Sequence, residues 1–386
     1  MSPFETDTLS SVKKPRFQYR PPNFDAPPLS QAPAARFEAA VVDGVLPDGF
    51  FSTSNLPTYV KVGGAWLRPR RPRMDCVIVL GATGELTTTE PRKVKKGTKV
   101  AIGEAEDGSE GIFVHAEGFL GGRHSANEFR FMQTEVSREK PVDYAVLAQL
   151  LGEEKERGDG KIVWVVGPAL VHARAREDMI WFIDNGYVGA LLGGNAVAVH
   201  ELEAAMFGTT LGMSSTGEGV EGGHALHMRA INTIRRAGSI EAAVKEGLVT
   251  GGIMHALVTH RVPYVLAGSI RDDGPLPGVY SDTLAAQDAM REITTQATFA
   301  VFVATALHAI AVGNMLPAFV DAATPDGVRP LTTVCVDQTE FVVNKLRDRG
   351  THQAYGVVTN AQDFMHVLRF YVERWEQART PASLAR

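Results

Sequence analysis

Apolar residues follow two different rhythms along this chain, and the change comes near residue 136. Beyond it, Val146, Leu147, Leu150 and Leu151 recur at helical spacing, which predicts a helix over 143–157 closed by Gly158 and Gly160. A continuously apolar strand is expected over 161–167. The alternation then repeats as helix 175–185, strand 188–192 and helix 196–207. Further apolar runs predict strands over 264–267, 300–304 and 333–336, then a helix over 341–349, a strand over 355–358 and a last helix from Ala361. Strands that are apolar at every position, set between helices, imply a parallel sheet covered on both faces. The fold class read from this pattern is α/β, with a doubly wound parallel sheet over 136–386.

The stretch 36–135 carries shorter runs separated by turn residues such as Asp43-Gly44 and Asp48-Gly49. It predicts a small β-rich domain, a barrel or sandwich. Residues 1–35 hold seven of the 21 prolines and almost no periodic apolar pattern, so a disordered or loosely wrapped extension is expected there.

Composition narrows the function classes. Hydrophobic residues make up 44% of the 386 positions and charged residues 22%, within the ordinary globular range. The net charge of −5 is spread along the chain, which speaks against nucleic acid as the main partner, because that binding needs a concentrated basic surface. The run Arg68, Arg70, Arg71 and Arg73 is broken by Pro69 and Pro72 and reads as a solvated edge. No stretch approaches the roughly 20 apolar residues that span a bilayer. Cys76 and Cys335 sit inside apolar runs and are expected as buried thiols of a cytoplasmic protein, not as a disulfide or a zinc site.

Ligands of a doubly wound sheet collect at the carboxyl ends of its strands. Gly193, Gly194, Asn195 and Ala196 follow one strand and lead into a helix, where free backbone N–H groups can meet a phosphate or simply form a turn and cap. The G-x-G-x-x-G fingerprint is absent, so a standard Rossmann phosphate loop is unsupported. Asp337 ends another strand and fits either an adenosine ribose or a helix N-cap. Thr305, Ala306, Leu307 and His308 end a third, and Asn360 with Ala361 a fourth. The loop from Ala267 holds Arg271, a planar fork suited to a carboxylate, and Asp272 with Asp273, which suit an ammonium group or a proton. Ordinary loop polarity is the alternative. His224 and His227 would share a face if a helix begins there; without a His-Glu-x-x-His arrangement, substrate or cofactor contacts are favoured over metal. The hydroxyl- and amide-rich stretch 48–59 either faces the cleft or forms hydrogen-bonded turns.

These segments together resemble one family. They are Leu46-Pro-Asp-Gly-Phe, Ser54-Asn-Leu-Pro-Thr, Met74-Asp-Cys-Val-Ile-Val, Gly167-Pro-Ala, Gly194-Asn-Ala-Val-Ala-Val-His and Arg229-Ala-Ile-Asn-Thr-Ile-Arg. Ala267-Gly-Ser-Ile-Arg-Asp-Asp-Gly-Pro-Leu-Pro and Ala311-Val-Gly-Asn-Met-Leu-Pro-Ala complete the set. They are similar to the LOR/SDH conserved-region family, which includes archaeal-type NAD-dependent ornithine cyclodeaminases and the C-terminal part of cyanobacterial arginine dihydrolase. The resemblance covers about 37–368. It implies a β domain followed by an NAD-binding domain of the deoxyhypusine-synthase-like type, a non-standard Rossmann arrangement.

Carried over by position, the resemblance implies cofactor contacts at Asn195, Ala196, Asp273, Thr305, Ala306, Leu307, His308, Asp337, Asn360 and Ala361. For substrate binding we expect Asn55, Thr58 and Arg271, with Arg271 as the carboxylate clamp and Asp272, then His227 or His224, as proton acceptor. The implied reaction converts L-ornithine to L-proline and ammonia through imines, with NAD recycled. A related amino-acid or cyclic-imine oxidoreductase and a non-catalytic NAD-binding module are the rivals. Partners are then a small amino acid and further copies of the chain, as a dimer or tetramer. Two departures bear on the substrate: a histidine-poorer segment at Gly223-His-Ala-Leu-His, and an insertion around 323–329.

Overall fold

A computed structural model describes residues 19–119, 143–158, 160–214, 216–272, 274–321, 327–340, 342–344 and 353–379. Two small antiparallel sheets form the first unit. One orders its strands β1 (Arg36–Ala39), β6 (Lys99–Ile102), β4 (Val77–Leu80) and β5 (Leu86–Thr89). The other orders them β3 (Ala65–Leu67), β2 (Thr58–Val62) and β7 (Ile112–Val114). Their apolar faces meet in one core around Phe51, Val60, Ile78, Ala101 and Ile112. Part of the proline-rich extension lies against this unit: Tyr19 is buried with Phe119, Phe319 and Val328, and its hydroxyl meets that of Tyr59 at 2.5 Å.

The second unit is the expected parallel sheet. Its strands are β8 (Ile162–Val166), β9 (Ala190–Gly194), β12 (Tyr264–Ala267), β13 (Phe299–Val303), β16 (Thr332–Asp337) and β17 (Gln353–Val358). Between them run the two-residue hairpin strands β10 (Thr209–Thr210) and β11 (Met213–Ser214), and the pair β14 (Phe319–Asp321) and β15 (Val328–Pro330). Every pairing in the large sheet is parallel. Alternate residues serve opposite faces: Ile162, Trp164 and Val166 enter one core, Val163 and Val165 the other. A sheet with apolar layers on both sides needs strands with no polar alternation, which is what the sequence supplies.

Ten helices of the described residues cover it: α1 (Tyr144–Glu156), α2 (Ala169–His172), α3 (Arg176–Asp184), α4 (Asn195–Phe207), α5 (Leu226–Ala237), α6 (Ile240–Lys245), α7 (Ile253–Thr259), α8 (Thr283–Thr294), α9 (Ala306–Gly313) and α10 (Ala361–Arg379). Five of these, α2 and α6 to α9, were not expected from the pattern. Of them α2, α6 and α7 are short. The strand and helix of 299–313 share one apolar run, so nothing polar except Thr305 and His308 marks where the period changes. The helix expected over 341–349 falls largely outside the described residues.

The β-rich unit docks at the amino end of the large sheet. Ala318 donates its N–H to the Asn55 carbonyl at 2.9 Å, and Leu331, the residue just before β16, donates to the Ala318 carbonyl at 3.1 Å. A buried carboxylate fastens the same junction. Glu90 accepts Arg73 at 2.9 Å and Arg291, in the last turn of α8, at 2.5 Å. Burial alone would raise the Glu90 pKa, but a backbone hydrogen bond and the two guanidiniums hold it below the ordinary carboxylate value.

Candidate active site

Taken in chain order, the six parallel strands sit in space as third, second, first, fourth, fifth, sixth. Connections therefore leave β8 and β13 in opposite directions, and the crevice at their carboxyl ends is the topological switch point where such sheets hold ligands. Backbones close tightly there. The Gly167 N–H donates to the Val303 carbonyl at 3.0 Å, and a Cβ on Gly167 would collide with the Ala304 carbonyl and lie 2.9 Å from Thr305 Cβ. Ala304 itself takes a left-handed φ of 55°, a strained conformation for a residue with a side chain. On the other side, a Cβ on Gly194 would lie 2.8 Å from His308 Cε1. Burial lowers the His308 pKa, and its Nδ1 lies 3.5 Å from Thr305 Oγ1.

Asn195 begins α4 and is buried. Its amide nitrogen donates to Asp272 Oδ1 at 3.0 Å, while its oxygen accepts the Leu276 N–H at 3.0 Å. The Ser269 N–H donates to the second Asp272 oxygen at 2.7 Å. Both oxygens of the expected proton acceptor thus already accept hydrogen bonds, one from α4 and one from within the loop. Arg271 and Ile270 beside it are exposed, so the brace leaves the guanidinium free to reach a ligand. Asp273 lies outside the described residues.

The remaining strand ends carry capping geometry as well as exposed groups. Asp337 accepts the Thr339 N–H at 2.9 Å and its hydroxyl at 2.8 Å through the same oxygen. Asn360 caps α10 reciprocally with Asp363, at 2.7 and 2.8 Å, so it offers a ligand backbone more than side chain. Ala361 is buried beneath it. Thr305 precedes α9 without a side-chain capping bond, and Ala306 and Leu307 stand exposed in the first turn. Ala196, the predicted helix start, lies one residue inside α4. Close-approach glycines, uncapped helix starts and a strand-end carboxylate are the features that fit a dinucleotide.

The histidine pair is not on one helix face as expected. His224 is exposed on a 3-10 turn, and His227 stands in the first turn of α5. His227 belongs instead to a group that the sequence reading missed. The His172 and His200 rings pack with centroids 4.7 Å apart, and His227 adds to the positive potential at His200. Both unpredicted histidines stand five residues beyond a strand-end position, His172 after Gly167 and His200 after Asn195, which is the signal that could have found them. Among the described residues no group of three or more His, Cys, Asp or Glu side chains could hold a metal ion.

Asn55 and Thr58 are not brought to these strand ends within the chain. Asn55 lies on Ala318 at the amino end of β16, whose six residues put Asp337 roughly 20 Å farther along. Thr58 is buried in β2 and donates its hydroxyl to the Leu56 carbonyl at 3.1 Å. The stretch 48–59 therefore forms packed turns against the sheet's amino edge instead of a cover over the cleft.

The family described as "Arginine dihydrolase ArgZ-like, C-terminal, Rossmann fold" matches residues 145–368, and its first region matches 57–146. An ornithine cyclodeaminase from Methanopyrus kandleri is 45% identical over 86% of this chain and 76% of its own length. A crystal structure of a conserved LOR/SDH protein from Methanococcus maripaludis S2 is 39% identical, covers 89% of this chain and 98% of its own, and superposes with a TM-score of 0.78. A ternary complex of AgrE with ornithine and NAD+ is 34% identical, over 90% of this chain and 47% of the larger AgrE chain, with a TM-score of 0.56.

Proposed function

The chain belongs to the ArgZ-like C-terminal family, and from that premise we propose that it is an NAD-dependent ornithine cyclodeaminase. The reaction converts L-ornithine to L-proline and ammonia with no net oxidation. The observation that carries this reading is the switch-point crevice between β8 and β13, flanked by the braced 268–276 loop, in a chain whose relative AgrE holds ornithine together with NAD+.

NAD, when bound, supplies a reversible hydride store for the carbon next to the carboxylate. The backbone N–H groups at the start of α4, the exposed first turn of α9 and Asp337 are the groups that would hold it, with the Asp337 carboxylate disfavouring the extra phosphate of NADP. Arg271 is the clamp for the substrate carboxylate, presented by a loop fixed through Asn195 and Asp272. Asp272 is read here as that loop's brace. Two imines along the path require a site that excludes water. Proline formation, a cytoplasmic setting and assembly as a dimer or tetramer belong to this proposal.

Purified protein incubated with L-ornithine and substoichiometric NAD should yield proline and ammonia in equal amounts without accumulating NADH. Net NADH formation would point to the oxidoreductase alternative, and absence of any turnover would sink the reading. NAD released from acid-denatured protein tests cofactor retention separately.

A further inference from the structure

The central strand β8 ends at the switch point, and the first titratable side chain beyond it is His172. It closes the four-residue helix α2, with one side open to solvent and its ring packed on a second histidine. Behind it lies His200, largely buried on α4, with ring centroids 4.7 Å apart at an interplanar angle of 56°. His200 Nδ1 is buried without a hydrogen-bond partner and lies 3.8 Å from Glu203 Oε2. That carboxylate is fully buried and held in place by the Thr209 hydroxyl at 2.9 Å and the backbone N–H groups of Leu211 and Gly212 at 3.1 and 2.8 Å. The titratable groups facing the pair are thus Glu203 from α4 and His227 from α5.

The substrate's amines arrive protonated, and a proton must leave before the carbon can be oxidised. Asp272 already accepts hydrogen bonds at both oxygens. We propose that His172 takes the proton from the substrate amine, with His200 as a positioning residue that packs its ring; this rests on the ornithine reading above. One ammonium N–H bond breaks, its electron pair stays on nitrogen, and an imidazole nitrogen of His172 accepts the proton. The imidazolium later returns that proton to the departing nitrogen, which leaves as ammonia, so the cycle closes without an added acid. Burial holds the His172 pKa below the ordinary histidine value, which keeps the imidazole unprotonated near neutral pH and ready to accept.

The test uses the full chain loaded with NAD. His172→Gln should lower kcat roughly 100- to 10,000-fold and remove the acid limb of the kcat/KM profile, while the protein still retains NAD. His200→Asn should lower kcat more than it changes KM, and should move the acid limb upward as the His172 ring becomes better solvated. A readout independent of turnover is the histidine 13Cε1 spectrum: addition of L-ornithine should drive one imidazole signal toward its protonated form, and His172→Gln should lack that signal. Should His172→Gln lose its NAD, His172→Asn replaces it, and the profile of the unmodified enzyme decides in either case. An acid limb near the carboxylate range of about pH 4 would return the role to Asp272 and overturn the inference. Wild-type kinetics in a folded His172 variant would overturn it equally. If the unmodified enzyme makes no proline at all, the ornithine reading has failed instead.

Discussion

Asn195 and Asp272, 77 positions apart in sequence, are joined by one 3.0 Å hydrogen bond that ties the start of α4 to the loop after β12. The same Asn195 side chain accepts from Leu276, so both of its polar atoms are spent on that loop. The two residues expected to touch cofactor and substrate separately therefore act as one unit that presents Arg271.

Replacing Asn195 by Ala should leave Asp272 Oδ1 and the Leu276 N–H unpaired, which costs about 1–3 kcal/mol per group left buried. We expect a drop in kcat/KM for ornithine and faster amide exchange across 268–276, with little change in overall helix content. Unaltered exchange in that loop would refute the brace.

The two strand-end glycines should respond differently to Ala. At Gly167 the added carbon meets the Ala304 backbone carbonyl, which cannot move without disturbing β13. At Gly194 it meets the edge of the His308 ring, which can rotate. Gly167→Ala is expected to abolish NAD retention, whereas Gly194→Ala should weaken it by a smaller factor. Calorimetric titration with NAD compares them, and equal affinities would show that the close approach at β8 has no bearing on the cofactor.

The Glu90 clamp predicts a stability loss. With Glu90 gone, Arg73 is left as a buried, uncompensated charge and Arg291 keeps only Asp288 at 4.0 Å, and truncating one member of such a buried pair costs about 3–5 kcal/mol. Urea unfolding of Glu90→Ala should show that loss, together with earlier proteolysis between the two units. A midpoint within error of the parent would place the junction's strength elsewhere.

Acid should weaken the fold through His200. Burial, followed by the nearby His172, depresses its pKa from 6.5 to about 4 in the folded protein. Between those values the unfolded chain binds more protons than the folded one, so stability falls as pH drops from about 6.5 toward 4, by up to roughly 3 kcal/mol. His200→Asn should flatten unfolding midpoints measured across that window. A slope unchanged by the substitution would assign it to other groups.

The large sheet was legible because strands buried on both faces are driven to be apolar throughout, and 162–166 carries that signature without ambiguity. The expected strand-end residues Asn195, Thr305, Asp337 and Asn360 were found for the same reason: where an apolar strand stops, its carboxyl end must lie. Helix α9 was hidden because its apolar face continues the strand before it.

The sequence by itself determined the parallel sheet, its order of elements and the positions at strand ends, since burial and turn chemistry are written in local residue types. Tertiary structure alone decided which of those ends meet. The strand order put β8 and β13 side by side, engaged Asp272 with Asn195, packed His172 against His200 and carried Asn55 to the opposite edge. Those outcomes depend on pairings between residues far apart in the chain, and local pattern holds no record of a long-range contact until the strands have chosen their neighbours.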